Sequence, residues 1–117
     1  MKKAFTLPTC KTCQRIFDDI QPERLGCEVV DIKAEGIAAA DLDAMKAHAG
    51  SYEALFSRRA MKFRSMGLAD HTLTEDDYRR LILEEYTFLK RPVFLTDDGV
   101  TAGSAKAEVA RAVELLS

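Results

Sequence analysis

The chain has 117 residues and a formal net charge of −2 at pH 7, with 47% hydrophobic and 31% charged residues. This balance is typical of a globular domain and excludes an intrinsically disordered chain, because there is enough apolar material to build a core. The small negative charge argues against a general nucleic-acid or membrane-surface binder. The length and the absence of repeats or linkers predict a single domain over residues 1–117.

Neither the start of the chain nor its cysteine content indicates export. No apolar run approaches the roughly 18 residues of a transmembrane helix, so we expect no membrane contact. Two lysines open the sequence, but the polar Thr9–Lys11 follows without the apolar region of a signal peptide. Three cysteines are too few for a disulfide scaffold, which predicts a cytoplasmic protein with reduced or redox-active thiols.

The first third of the chain predicts a β-α-β unit. Lys3–Leu7 is a strand candidate that ends at Pro8. From Lys11 the apolar spacing is helical until Pro22 ends the pattern. The apolar positions of this helix are Cys13, Ile16, Phe17 and Ile20. Cys27–Ile32 is the second strand candidate, and a helical crossover between the two strands favours parallel pairing.

The middle of the chain is predicted to be helical. One helix ends at Gly50, and Ser51 is placed to cap a short turn at Tyr52–Phe56. Thr74 before Glu75–Asp77 indicates a second helix start, since acidic residues favour the positive end of the helix dipole. The apolar faces of the two helices are Leu42, Met45 and Ala49, and Tyr78, Leu81, Ile82 and Leu89.

The last third predicts a hairpin and a final helix. Arg91–Leu95 is a strand that contains an early proline, Asp97–Gly99 is a turn, and Val100–Ala102 is the returning strand. Ser104 is expected to cap the final helix. The apolar face of that helix is Val109, Ala112, Val113 and Leu116. The complete order of elements predicts an α/β, thioredoxin-like (glutaredoxin-like) fold: β-α-β and then β-β-α around a mixed sheet, with a helical insertion at about residues 37–89.

Two cysteines separated by two residues lie between the first predicted strand and the first predicted helix. A thiol at a helix N-terminus faces unpaired N–H groups and the positive end of the helix dipole, which stabilise the thiolate. Lys11 adds a nearby cation, so we expect Cys10 to be an exposed nucleophile with a lowered pKa. Cys13, one turn further along, is placed to attack an adduct or mixed disulfide on Cys10.

Two other interpretations of this cysteine pair stay open. One is half of a zinc site, although Cys27, His48 and His71 do not follow at metal-ligand spacing. The other is a pair of inert, buried thiols. Cys27 opens an apolar strand and is predicted to be a core residue, and neither histidine is assigned a role. No metal site is therefore predicted.

Positive charge concentrates in one segment. The stretch from Ala54 to Ala69 has no acidic residue and carries four cations: Arg58, Arg59, Lys62 and Arg64. Such a cluster indicates either an anion-binding site or a solvated helix face. Arg91 is a more specific candidate for a residue of the active site. It precedes Pro92 at the start of a strand, and in thioredoxin-like folds the residue before that proline faces the active thiol.

Three segments carry a resemblance to a known family. They are Thr9–Cys13, the stretch from Leu55 to Leu68, and Leu89–Val93, which reads Leu-Lys-Arg-Pro-Val. Over essentially all of its length the chain resembles the arsenate reductase–Spx family, a branch of thioredoxin-like proteins related to the glutaredoxin-coupled arsenate reductases.

The resemblance implies roles for the candidate residues. Cys10 would attack arsenate or accept a thiol adduct, arginines would stabilise the oxyanion, and the proline after Arg91, Pro92, would be cis. Guanidinium groups suit oxyanions because they bind them in a bidentate fork. The candidate substrate-binding cations are Lys11, Arg58, Arg59 and Arg64. Which of the three arginines in the middle segment lines the site stays open.

Two positions differ from the arsenate reductases of this type. Those enzymes have one active-site cysteine and take their reducing thiol from glutathione, whereas Cys13 supplies an internal partner, as in Spx-type regulators. They also carry an arginine near the start of the last helix, where Ser104 stands in this chain.

The leading hypothesis is a cytosolic thiol-disulfide oxidoreductase that reduces arsenate, another oxyanion or a disulfide, and holds no bound cofactor. An external donor, glutathione with glutaredoxin or thioredoxin, would restore the Cys10–Cys13 dithiol. The alternative is a Spx-like redox-sensing transcriptional regulator that binds RNA polymerase without turnover. In both cases we expect a monomer without direct contact to nucleic acid or membrane.

Overall fold

All four strands of the protein belong to one of its two units. The computed structural model describes every residue from Met1 to Ser117. Unit 1 comprises Met1–Gly36 and Arg91–Ser117, and unit 2 comprises Ile37–Lys90. The prediction of a single domain over residues 1–117, with an insertion at about 37–89, stays a prediction.

The elements follow the predicted order. Those of unit 1 are β1 (Lys2–Thr6), α1 (Lys11–Ile20), β2 (Glu28–Asp31), α2 (Ile32–Glu35), β3 (Val93–Thr96), β4 (Gly99–Ala102) and α6 (Lys106–Leu116), with a 3₁₀ helix at Pro22–Leu25. Those of unit 2 are α3 (Ala39–Ala49), α4 (Met61–Ser65) and α5 (Glu75–Glu84), with 3₁₀ helices at Glu53–Leu55, Leu68–Asp70 and Tyr86–Phe88. None of the helices has both the length and the apolar character needed to cross a membrane.

The sheet of unit 1 is mixed, with strand order β2-β1-β3-β4. β1 and β2 are parallel and are connected through α1, whereas β3 is antiparallel to both β1 and β4. The parallel pair forms because a helical crossover returns the chain in the same direction. This topology confirms the predicted α/β, thioredoxin-like fold class.

The core of unit 1 lies where α1 and α6 cover one face of the sheet. Ala4 and Phe94 are partners across β1 and β3 and belong to this core. The buried residues packed with them are Ile16, Cys27, Ala112 and Leu116. Cys27 is thus a core residue, as predicted, and the ring of Phe94 lies 5.8 Å from that of Phe17.

Unit 2 has an aromatic centre. Phe56 is stacked on Phe88 with a centroid distance of 4.9 Å and meets Tyr78 edge-on at 4.9 Å. Backbone hydrogen bonds of 2.7 and 2.8 Å join residues 55–57 to residues 88–90. Aromatic burial and this short antiparallel contact together connect the middle of unit 2 to its end.

The predicted caps of unit 2 are confirmed. α3 ends at Gly50, whose φ of 94° lies in the left-handed region that glycine adopts without strain. The Ser51 hydroxyl accepts the backbone N–H of Ala54 at 3.1 Å. Thr74 and Asp77 form a reciprocal capping box at the start of α5, with distances of 3.2 and 2.9 Å.

The prediction that Leu89 continues the apolar face of α5 is wrong. The helix ends before Glu85, which has an extended backbone, with φ −138° and ψ 105°. The Glu85 carboxylate accepts the backbone N–H and the hydroxyl of Thr87 at 3.3 and 2.9 Å, which starts a new turn. Leu89 is fully buried and bridges to Phe56, so a long-range pairing replaces the helical continuation.

The expected start and face of the last helix also need correction. Ala105, not Ser104, flanks the N-terminus of α6, and no side chain caps it. Instead, Glu108 in the first turn accepts the backbone N–H of Ala102 at 2.8 Å and thereby ties the helix to β4. Val113, predicted on the apolar face, is 47% exposed, because the buried stripe of the helix is narrower than the pattern suggests.

The second strand is shorter than predicted. Ile32 is the first residue of α2 rather than the end of the strand. The reason is local: the Asp31 carboxylate accepts the backbone N–H groups of Lys33 and Ala34 at 3.0 and 3.1 Å. This cap turns the chain into a helix directly after β2.

Candidate active site

The Cys10 thiol lies at the junction of β1 and α1. The backbone N–H of Cys10 donates to the carbonyl of Leu7 at 2.9 Å, which closes a tight turn between the strand and the helix. Cys10 flanks the N-terminus of α1 with extended backbone angles (φ −86°, ψ 116°), and its carbonyl accepts from Gln14 at 3.0 Å. The Gln14 side chain donates back to the carbonyl of Pro8. The thiol is therefore held at the positive end of the helix.

The pKa of Cys10 lies below its usual value, as the sequence predicts. Cys10 is half-buried rather than exposed as predicted, and burial alone would raise the pKa of its thiol. Hydrogen bonds from the N–H and thiol of Cys13 and from the N–H of Thr12, together with the positive charge of Arg91, outweigh that effect. Lys11 is exposed at the first position of α1. Because the thiolate is the nucleophilic form, these contacts favour reaction at Cys10.

Cys13 has the opposite environment. It is fully buried, and burial raises the pKa of its thiol. The neighbouring Cys10 raises the pKa of Cys13 further, through a hydrogen bond and its charge, whereas donors at Leu7 and Thr6 lower it without cancelling the effect of burial. Both thiols are free. As pH rises, Cys10 therefore ionises before Cys13.

Strand register places Arg91 beside Cys10. Val93, the first residue of β3, pairs with Phe5 in β1, so the residues that precede β3 lie next to those that follow β1. The Arg91–Pro92 peptide bond is cis, and Arg91 is half-buried. Its guanidinium charge acts on the Cys10 sulfur. Two thiols and one guanidinium from distant parts of the sequence therefore meet in unit 1.

The cations of the middle segment belong to unit 2. Arg58 donates to the Glu53 carboxylate at 2.9 Å and to the Tyr78 hydroxyl at 2.7 Å, and its guanidinium lies 5.6 Å from the centre of the Tyr78 ring. The hydrogen bond from Arg58 is the main reason that the pKa of Glu53 is lowered. Arg59 and Arg64 are exposed. Arg58 thus takes part in an internal network of unit 2, which the sequence did not reveal.

The sequence analysis did not identify two residues that influence Cys13. Burial raises the pKa of Cys13, and hydrogen bonding from the backbone of Leu7 and from the side chain of Thr6 opposes that shift. The signal for Thr6 was available, because strand alternation places its side chain on the same face as Ala4, the face that α1 covers. No sequence pattern marks the backbone contribution of Leu7.

The remaining cysteine and histidines do not join this site. Cys27 lies in the core of unit 1, where burial raises the pKa of its thiol although the charge of Lys2 opposes that shift. His48 and His71 are exposed. No group of three or more His, Cys, Asp and Glu side chains is arranged to hold a metal ion.

Comparison with known proteins agrees with this architecture. The model of the ArsC family matches residues 5–112. No curated protein sequence matches the chain.

Solved structures resemble the chain over almost its whole length. A protein from Bacteroides fragilis superposes with a TM-score of 0.80 at 19% identity, covering 95% of this chain and 96% of its own. An arsenate reductase from Vibrio cholerae gives 0.78 at 13% identity, covering 94% and 95%. An arsenate reductase-related protein from Brucella melitensis gives 0.68 at 21% identity, covering 94% and 92%. At these identities the superpositions establish that this chain shares its fold with the three proteins.

Proposed function

The chain belongs to the ArsC family, and on that premise we propose that it is a thiol-disulfide oxidoreductase in which Cys10 forms an adduct that Cys13 resolves. The observation that carries the proposal is the contrast between the two thiols. The pKa of half-buried Cys10 is lowered, whereas the pKa of fully buried Cys13 is raised. Such a pair favours attack by the first thiol and resolution by the second.

Arsenate is the first substrate to consider. The Cys10 thiolate would attack arsenic and form a sulfur–arsenic bond, while one arsenate oxygen takes up protons and leaves as water. The substrate is anionic, so the positive charge of Arg91 would offset the repulsion between it and the thiolate. A small disulfide or a glutathionylated protein would react at the same sulfur by thiol exchange.

Resolution would use the second thiol. Cys13, as a thiolate, would attack the Cys10 sulfur, and the sulfur–arsenic bond would break with its electron pair remaining on arsenic. Arsenate is thereby reduced to arsenite by two electrons, and the two thiols are oxidised to a Cys10–Cys13 disulfide. An external thiol donor would reduce that disulfide by two electrons: either the dithiol of thioredoxin, or two glutathione molecules through glutaredoxin. The cytoplasm, where such donors keep thiols reduced, suits this cycle, and the chemistry requires only a monomer and no bound cofactor.

The other predicted anion contacts are less direct. Lys11 adjoins Cys10 in the sequence and is exposed, as are Arg59 and Arg64 of the second unit. Arg58 already donates to a carboxylate and a tyrosine. We propose Lys11, Arg59 and Arg64 as the first cations to test for substrate binding, ahead of Arg58.

The test is arsenate-dependent consumption of NADPH, coupled separately through glutathione–glutaredoxin and through thioredoxin. We expect wild type to turn over, Cys10→Ser to be inactive, and Cys27→Ser to match wild type, because Cys27 lies in the core away from the reacting pair. With Cys13→Ser, a mixed disulfide on Cys10 should accumulate and be visible by mass spectrometry.

Two results would contradict this proposal. If Cys13→Ser turns over like wild type with the thioredoxin donor, Cys13 does not resolve the adduct. Absence of turnover with arsenate and with a glutathionylated protein would favour the Spx-like regulator instead. Co-purification with RNA polymerase would then be the discriminating observation.

A further inference from the structure

The turn that carries Cys10 is fastened to α1 by the residue that follows Cys13. In this turn, which runs from Leu7 to Cys10, the Cys10 N–H donates to the Leu7 carbonyl at 2.9 Å. The side-chain amide of Gln14 donates to the carbonyl of Pro8, in the middle of the turn. The backbone N–H of Gln14 donates to the Cys10 carbonyl at 3.0 Å, at the end of the turn. One residue of α1 therefore holds the turn at two points.

The two hydrogen bonds from Gln14 have different origins. The backbone bond belongs to the helix and forms with any side chain except proline, whereas the bond to Pro8 requires the amide. Gln14 and Pro8 are both exposed, so water competes for the side-chain bond and its contribution to global stability is small. Its effect is local, because it limits how far the middle of the turn can move away from α1.

The orientation of this turn decides where the Cys10 sulfur lies. Cys10 flanks the N-terminus of α1 with extended backbone angles (φ −86°, ψ 116°), so its side chain is not fixed by the helical ladder. A helix start stabilises a thiolate only within the first turn, and N–H hydrogen bonds weaken steeply when their angle is poor. A disulfide with Cys13 also requires the two Cβ atoms to lie about 3.5–4.5 Å apart. A turn that moves away from α1 loses both advantages.

We propose that Gln14 is a positioning residue of the thiol site: its amide fixes the turn of residues 7–10 against α1 and thereby holds the Cys10 sulfur at the helix start. The same restraint keeps Cys10 within reach of Cys13. The inference rests on the proposed function, because it takes Cys10 as the reacting thiol and Cys13 as the resolving one. The amide is neutral, so its removal changes the position of the turn without changing the net charge of the protein.

The first test is the alkylation of Cys10 by iodoacetamide, in which the thiolate sulfur bonds to carbon and displaces iodide. Gln14→Met keeps the length of the side chain and removes the donor. Trypsin releases Cys10 in the peptide of residues 4–11, which contains no other cysteine, so mass spectrometry reports this thiol. We expect the midpoint of alkylation to move to higher pH in Gln14→Met. Below that midpoint the rate should fall by about twofold to fivefold, the scale of one exposed hydrogen bond.

The second test follows closure of the disulfide in a Cys27→Ser background. One equivalent of dithionitrobenzoate, a chromogenic disulfide, forms a mixed disulfide at Cys10 and releases one coloured thiolate. Cys13, as a thiolate, then attacks the Cys10 sulfur, and the second coloured thiolate leaves with the electron pair of the broken bond. We expect this second release to be about twofold to fivefold slower in Gln14→Met. The difference should persist at a pH where Cys13 is fully ionised, because the approach of the two sulfurs is affected.

The matched control is Gln21→Met. Gln21 is the other glutamine of the chain; it is exposed at the far end of α1, and its side chain does not cap the 3₁₀ helix that follows. We expect this variant to match wild type in both tests. Urea denaturation should give similar midpoints for Gln14→Met and Gln21→Met, which separates the local effect from a loss of global stability.

The outcomes separate this inference from the proposed function. If wild type releases no second thiolate, Cys13 does not resolve, and both fail. If wild type releases it and Gln14→Met matches Gln21→Met in either test, the inference alone is wrong. Should Gln14→Met not fold, as judged by its urea denaturation, Gln14→Ala also removes the donor and is judged by the same two measurements.

Discussion

Two arginines, one in each unit, use their charge in different ways. In unit 2, Arg79 donates two hydrogen bonds to the Asp43 carboxylate at 2.8 and 3.1 Å, and the Tyr52 hydroxyl donates to the same carboxylate at 2.6 Å. In unit 1, the charge of Arg91 acts on a thiol that is charged only when it ionises. Arg79 has a permanent anionic partner and contributes to structure, whereas Arg91 adds to the hydrogen bonds from Cys13 and Thr12 that lower the pKa of Cys10.

The largest expected effect tests the framework of unit 2. Phe56→Ala removes a fully buried ring stacked on Phe88 and should lower the free energy of unfolding by about 3–5 kcal/mol. Met61→Ala is the control, because Met61 is 89% exposed and its loss should change little. Urea denaturation measures both. Equal midpoints for the two variants would show that the aromatic centre does not stabilise the unit.

The next effect tests a charge in unit 1 that has a structural role. The Lys2 ammonium donates to the carbonyls of Leu25 and Leu116 at 3.1 and 3.0 Å, at the ends of the 3₁₀ helix and of α6. Lys2→Met should lower the free energy of unfolding by about 1–2 kcal/mol, since charge-assisted hydrogen bonds are lost. Lys33→Met, which changes an exposed lysine of α2, should have almost no effect in the same denaturation experiment.

A smaller effect addresses reactivity. Arg91→Gln removes a charge that lowers the pKa of Cys10, so the midpoint of Cys10 alkylation by iodoacetamide should move to higher pH. Below that midpoint, we expect the rate to fall by up to about fivefold, the scale of one partly exposed charge pair. Mass spectrometry of the alkylated peptide measures the rate. An identical shift with Arg24→Gln, an exposed arginine of unit 1, would mean that general charge rather than position matters.

The smallest effect concerns the Asp43–Arg79 pair. Hydrogen bonds from Arg79 and then from Tyr52 lower the pKa of Asp43 to about 2. A lowered carboxyl pKa stabilises the fold above the unfolded-state value near 4 and loses that contribution as pH falls towards 2. Asp43→Asn should therefore flatten the dependence of the urea midpoint on pH between about 4 and 2. A slope equal to that of wild type would show that the pair does not stabilise the fold.

Local sequence patterns predicted most helices and strands. The predictions for Leu89 and Ser104 were wrong because contacts outside the local pattern decide their surroundings. The cap at Thr74 and the stop at Gly50 depend on neighbours in sequence, and both are present in the structure. Leu89 was misplaced because its environment is set by a bridge to Phe56, which no local spacing reveals. Ser104 was misassigned because Glu108 makes the contact that ties the helix start to the sheet.

The sequence by itself determined the α/β order of elements and the position of Cys10 and Cys13 at the start of α1, because periodicity, turns and helix starts are encoded within a few residues. Only the tertiary structure decided which groups surround the two thiols. Arg91 reaches Cys10 through the pairing of β1 with β3, and Thr6 influences the pKa of Cys13 because α1 folds back over β1. Strand register and burial join residues that are distant in the chain, and these contacts give two chemically identical thiols opposite shifts in pKa.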